Sequence, residues 1–215
     1  LYPYQKEGVA FALFKTRAII ADEMGLGKTL QAITLGVLKK ELFGFTRMLI
    51  ISPASLKEQW KREIERFTGE KAVPAFSPRK KRQEVNEHDP AYFLITNYEA
   101  VLRDISVISR WIGGLGFLDE AQRIKNFETK THQAICSIPR KQSLVITGTP
   151  LENKLEDLYS ITQFTDPELF SPLWIFTANH LKIFKNKKKT VTGYKNLDII
   201  HKKLKNTVIR RTKEE

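Results

Sequence analysis

The sequence is poor in cysteine, and its one thiol, Cys136, excludes an internal disulfide framework and a cysteine-rich zinc site. Cys136 lies in an apolar stretch with Ala134, Ile135 and Ile138 and is expected to be a small buried hydrophobe. A reducing, intracellular setting fits. No apolar run approaches the roughly 20 residues of a membrane-spanning helix, and no secretory leader is visible, so no membrane partner is expected. Acidic residues are also short: 24 stand against 36 basic ones, for a net charge of +12. That balance favours a polyanionic partner.

The basic excess is uneven. His180 to Glu215 holds ten lysines, two arginines and three acids, or +9 of the total. A solvated helical surface would show the same excess, so charge alone does not choose between surface and polyanion site. The 215 residues are enough for one large domain, or one domain with a small appendage. The chain starts at Leu1 rather than Met and is expected to be a piece of a longer protein.

Up to about Thr165, short β-branched runs alternate with helical stretches. Arg17–Ala21, Met48–Ser52, Tyr92–Thr96 and Ser143–Thr147 read as buried strands. Leu30, Ile33 and Val37 share one helical face, and Leu56, Trp60, Ile64 and Phe67 share another. Ser55 followed by Glu58 has the form of a capping box. Strands alternating with helices predict an α/β fold with a mostly parallel sheet between helices. Beyond Phe164, Asp166-Pro167 reads as a helix start. Residues 166–215 then read as a basic helical extension with a loop near Lys185–Gly193, outside the sheet, and residues 1–165 as the main lobe.

The strand ending at Ala21 runs into Asp22-Glu23-Met24-Gly25-Leu26-Gly27-Lys28-Thr29, and a helix follows. This is a phosphate-binding loop with Asp22 where the Walker pattern has its first glycine. Glycines let backbone N–H groups curl around phosphate oxygens, and the helix N-terminus adds positive potential. Lys28 would neutralise the β- and γ-phosphates and Thr29 would place its hydroxyl on Mg²⁺. Downstream, Leu118-Asp119-Glu120-Ala121-Gln122 puts a carboxylate pair at a strand end. Asp119 would hold the metal and Glu120 would orient and deprotonate the attacking water. The strand Val145–Thr147, followed by Gly148, Thr149 and Pro150, ends in small hydroxyl residues suited to sensing the γ-phosphate.

These blocks resemble, in wording and order, the Swi/Snf-type ATPases of helicase superfamily two. Asp22–Thr29 resembles their motif I, Leu49–Trp60 motif Ia, Ile95–Tyr98 the next block, Asp119–Asn126 motif II and Thr147–Asn153 motif III. Leu1–Gly8 resembles the segment ahead of motif I, and Val208–Lys213 the stretch that closes the first lobe. The resemblance implies a RecA-like first lobe that binds ATP and Mg²⁺. Its nucleotide contacts would be Gln5, Asp22, Met24, Gly25, Leu26, Gly27, Lys28 and Thr29, with Asp119 and Glu120 as the hydrolytic pair. Gln122, Thr147, Gly148 and Thr149 would couple the nucleotide to motion, and Ser52, Pro53, Lys57, Asn97 and Tyr98 would form the DNA-backbone side. The implied partners are double-stranded DNA, a second RecA-like lobe in the same protein, and a protein remodelled on the DNA. The implied activity is ATP-driven translocation on duplex DNA, nearly absent from the isolated lobe. A superfamily-two lobe acting on RNA or single strands and a non-catalytic docking lobe stand as alternatives. Gly113, Gly114 and Gly116 interrupt the run before Asp119 and are expected to weaken that strand and disturb its register.

Overall fold

Strands built from consecutive isoleucines, leucines and valines have no polar face to offer water, and the chain covers them on both sides. The computed structural model describes residues 1–74, 91–148, 154–170, 172–184 and 190–213. Its first half runs α1 (Pro3–Leu13), β1 (Arg17–Ile20), α2 (Lys28–Phe43), β2 (Met48–Ser52), α3 (Lys57–Thr68), β3 (Ala72–Pro74), β4 (Phe93–Asn97) and α4 (Tyr98–Trp111). Its second half runs β5 (Leu115–Asp119), α5 (Lys130–Ser137), β6 (Gln142–Ile146), α6 (Leu155–Thr165), α7 (Leu173–His180), β7 (Leu181–Phe184), β8 (Thr190–Tyr194), α8 (Leu197–Leu204) and β9 (Val208–Ile209).

Seven strands form one sheet in the order β3-β4-β2-β5-β6-β1-β9. Every pairing described in it is parallel. Successive side chains alternate between two cores. Ile20, Ile50, Ile95, Phe117 and Ile146 pack on one face with Ile33, Trp60 and Ile64. Ile19, Leu49, Ile51, Leu94, Leu118 and Val145 pack on the other with Val101, Ile135 and Phe164. A third cluster, with Leu158, Tyr159, Phe176 and Ile200, lies beneath the C-terminal elements.

The glycine-rich run does not spoil the strand it precedes. Gly113 and Gly114 fall outside β5, and Gly114 makes the turn into it at φ 104°, a backbone that favours glycine. Gly116 is inside the strand because of what crosses it. A Cβ there would lie 3.1 Å from Arg140 Cδ, and the Arg140 guanidinium stacks 3.9 Å from the Phe164 ring. With β2 on one side and β6 on the other, β5 keeps a continuous register, Leu118 opposite Val145 and Asp119 opposite Ile146. The expected disturbance is therefore corrected.

Four local expectations also change. Ser55 does not cap α3, because residues Ala54–Leu56 form a single 3₁₀ turn ahead of it and no side chain caps the helix. Phe67 is 49% exposed rather than sealed under α3 with Trp60 and Ile64. Asp166 starts no helix: its carboxylate pairs with Arg17 and accepts from the Glu168 N–H at 3.2 Å. The next helix, α7, begins at Leu173 behind Pro172. The basic tail is not all helix and loop. Thr190–Tyr194, rich in β-branched and aromatic residues, pairs antiparallel with β7, and β9 joins the main sheet beside β1.

Candidate active site

Parallel pairing brings the carboxyl ends of β1, β5 and β6 to one edge. Ile20 pairs with Ile146, which pairs with Asp119, so the loops after all three strands leave side by side. Ligands of open α/β sheets bind outside such strand ends.

The loop after β1 is shaped by two glycines in the left-handed region, Gly25 at φ 91° and Gly27 at φ 68°. Gly27 has a second constraint, since a Cβ there would sit 2.3 Å from Gln5 Nε2. Gln5, buried on α1, donates to the Leu26 carbonyl at 3.3 Å and accepts from the Tyr2 N–H at 2.9 Å. Lys28 opens α2, and its ammonium donates to the carbonyls of Asp22 at 2.9 Å and Glu23 at 3.0 Å. Burial pulls Lys28 below the ordinary lysine value, against the opposing pull of Glu120, Asp22, Asp119 and Glu23. Gly148 leaves room for this amine: a Cβ there would meet Met24 Cγ at 2.7 Å and Lys28 Nζ at 3.3 Å.

Asp119 is 5% exposed and accepts from Trp60 Nε1 at 2.7 Å. Burial raises its carboxyl to about 6, with the Trp60 hydrogen bond and Lys28 opposing the rise. The Tyr98 hydroxyl donates to the Asp119 carbonyl at 2.5 Å. Glu120 takes φ 52°, a left-handed backbone that costs a non-glycine residue about 1 kcal/mol or more. The reversal separates the two carboxylates, Asp119 buried and Glu120 half-buried. Gln122 then bridges loops: its amide donates to Glu120 Oε2 at 2.5 Å and accepts from Thr147 Oγ1 at 3.0 Å.

One cavity of about 480 Å³ gathers these groups. Met24, Gly25, Gly27, Lys28 and Thr29 line it from the loop, Asp119 and Glu120 from the end of β5, and Trp60, Glu63 and Arg66 from α3. Leu26 faces Gln5 through its carbonyl. Asp22 is fully buried beneath the loop, paired with Arg211 rather than exposed to the cavity. Thr149 lies outside the described residues.

The five residues expected on the DNA side cluster at the ends of β2 and β4. Ser52, Lys57, Asn97 and Tyr98 are buried, and Pro53 is buried with them. Lys57 donates to Asn97 Oδ1 at 2.9 Å, and Asn97 donates to Glu99.

A family model described as the SNF2-related domain matches residues 4–215. The chain belongs to the SNF2-related domain family. It is 33% identical over 190 residues to DNA repair and recombination protein RAD54B of Gallus gallus, covering 80% of this chain and 21% of that one. It is 38% identical over 175 residues to Helicase SWR1 of Kluyveromyces lactis, covering 77% of this chain and 11% of that one. Among solved structures, the Sulfolobus solfataricus SWI2/SNF2 ATPase core in complex with dsDNA superimposes with a TM-score of 0.85 at 29% identity, covering 99% of this chain and 44% of that one. This SNF2-related chain thus spans about a fifth or less of those curated relatives.

Two features escaped the sequence reading. Trp60 appeared there as a core residue of α3, yet its indole N–H is bonded to the candidate metal carboxylate. Arg211 appeared only as part of a closing stretch, yet it reaches the phosphate loop from 189 residues away. No sequence spacing announces either contact. If Asp119 holds a metal, Trp60→Phe is expected to lower kcat for ATP about tenfold, the usual cost of removing a group that orients a metal-binding carboxylate. A steady-state assay with kcat unchanged would remove Trp60 from the site.

Proposed function

We propose that this lobe binds ATP with Mg²⁺ in the Lys28–Asp119 cavity and forms one half of the site of an ATP-driven translocase on double-stranded DNA. The observation that carries the reading is the convergence of the Lys28 ammonium and the Asp119 and Glu120 carboxylates on one cavity beside a glycine loop. The residues fit Mg²⁺ as well as they fit phosphate. Among the described residues no group of three or more His, Cys, Asp or Glu could hold a metal. Magnesium does not ask for one: it takes one or two carboxylates and keeps waters and substrate phosphates as its other ligands.

Thr29 and Asp119 would hold that ion, which when bound neutralises phosphate charge. The protein side of the chemistry is positioning. Lys28 donates to backbone carbonyls at 2.9 and 3.0 Å in the structure, and phosphate oxygens are the stronger acceptors for the same amine. Glu120, held by Gln122, accepts the proton of the attacking water. The water oxygen bonds to the γ-phosphorus as the bond to the β–γ bridging oxygen breaks, giving ADP and phosphate. Gln122 also binds Thr147, so the state of the acid pair is felt at the end of β6. Gly148 and Thr149, which follow Thr147, are proposed to extend that relay. Gln5 is proposed to read the adenine from α1.

Support for the duplex comes from the basic balance of the chain and from the DNA-bound state named for the Sulfolobus structure. Ser52, Pro53, Lys57, Asn97 and Tyr98 are proposed to serve the DNA side by fixing the ends of β2 and β4 beside α3. A second RecA-like lobe in the longer protein is proposed to complete the ATP site, and a DNA-bound protein is proposed as the object remodelled. The longer protein with both lobes is expected to hydrolyse ATP faster with duplex DNA than with single-stranded DNA or RNA. Stimulation by RNA or single strands alone would replace the duplex reading with its closest rival, and no hydrolysis with any of them would favour a docking lobe.

A further inference from the structure

The first glycine of the usual phosphate loop is replaced by Asp22, whose side chain is buried completely. A buried carboxylate is tolerated only when paired and hydrogen-bonded. Its partner is Arg211, which is 8% exposed and follows β9. Arg211 Nε donates to Asp22 Oδ1 at 3.0 Å and Nη2 donates to Oδ2 at 2.5 Å, a two-pronged contact that fixes orientation as well as charge. The same guanidinium donates to Gln31 Oε1 at 3.0 Å and to the Tyr4 carbonyl. Gln31, also fully buried, donates back to Asp22 Oδ2 at 3.0 Å. One side chain thus ties together the start of the loop, the helix that follows it, and α1.

The backbone extends the attachment beyond the sheet. Residues 207–211 run beside β1 and into the loop, with the N–H groups of Ile19, Ala21 and Glu23 donating to Thr207, Ile209 and Arg211 at 2.8, 2.8 and 3.0 Å. The Lys213 N–H then donates to Glu23 Oε2 at 2.9 Å. The packing around the pair has no slack at Gly8. A Cβ there would sit 2.1 Å from Gln31 Oε1 and 2.4 Å from Arg211 Nη2.

We propose that Arg211 is a positioning residue of the phosphate loop, holding it through Asp22 and Gln31 in the shape that receives nucleotide. The segment that leaves β9 is thereby a strut of the ATP site, and shifting it loosens the loop. This inference rests on the reading of the Lys28–Asp119 cavity as that site.

The test uses the longer protein that carries this lobe and its proposed second lobe, with three variants. Arg211→Lys keeps the charge but loses the fork. Gly8→Ala removes no polar group but pushes Arg211 and Gln31 from their places. Ile135→Ala, a cavity in the core on the face of the sheet opposite α1 and α2, serves as a stability reference. Arg211→Lys and Gly8→Ala are expected to raise KM for ATP about tenfold with kcat within about twofold, the signature of lost uniform binding. They are also expected to speed amide exchange in residues 22–27 without nucleotide. Ile135→Ala is expected to lower Tm and leave KM alone. Should Arg211→Lys fail to fold, Gly8→Ala decides. An unchanged KM with a lowered Tm, or an equal KM rise in Ile135→Ala, overturns the proposal. A parent two-lobed protein without ATPase activity would instead sink the underlying reading of the site.

Discussion

Lys28→Ala is expected to reduce ATP turnover of the longer, two-lobed protein by a factor of about 10²–10³ or more, the range for removing one donor aimed at developing charge. The size follows from where the amine lies. It is half-buried at the start of α2, with Glu120, Asp22, Asp119 and Glu23 all near enough to favour its charged form. A cation so placed attracts a polyphosphate and compensates the carboxylates that would otherwise repel it. Alanine leaves the Asp119 and Glu120 carboxylates facing the phosphates unopposed and frees the carbonyls of Asp22 and Glu23. Phosphate release with saturating duplex DNA measures the effect. Turnover within tenfold of the parent would refute the assignment of this cavity as the hydrolytic site.

Asp119→Asn is expected to abolish turnover to a similar degree while making the nucleotide-free protein more stable. The carboxyl is raised from 3.8 to about 6, mainly by burial. The folded protein therefore binds this proton more tightly than the unfolded chain. Above pH 6 the ionised group is a standing cost of about 3 kcal/mol, from about two pKa units at 1.36 kcal/mol each. As pH falls from 6 towards 4 the cost is relieved. Asparagine carries no charge, and its amide oxygen still accepts from Trp60. Thermal unfolding at pH 8 without metal or nucleotide is expected to show a gain of several degrees. The gain should vanish near pH 4, where the parent is also neutral. A lowered Tm at pH 8 would show that burial of the charge is already offset by its neighbours. The trade is typical of active sites, where function retains a group that stability would discard.

The parts legible in the sequence were those whose determinants lie close together along the chain. The glycine loop after β1, the Asp119-Glu120 pair and the β-strands each occupy a few consecutive residues, and periodicity or a glycine pattern is enough to place them. What was hidden depends on residues brought together by the fold. The Asp22–Arg211 pair joins the two ends of the chain, and only the placement of β9 beside β1 brings them into contact. Trp60 reads as core by spacing, and the side of its indole that meets Asp119 is set by how α3 lies across the sheet. Local signals also lost to tertiary ones. Ser55 and Glu58 have the letters of a cap, but Pro53 leads into a 3₁₀ turn instead. Asp166 could cap a helix, but Arg17 claims its carboxylate. The three glycines before Asp119 look like strand breakers until Arg140 and Phe164 are seen crossing Gly116.

The position of β5 sets a limit on how this protein can vary. With β2 and β6 bonded along both sides, β5 has no open margin into which an inserted residue could slide. Because alternate residues face opposite layers, lengthening the segment 115–119 by one would aim the carboxylate into the wrong core. Its letters can drift while its count cannot, so an alignment gap within those five positions would signal lost catalysis even where the aspartate itself survives.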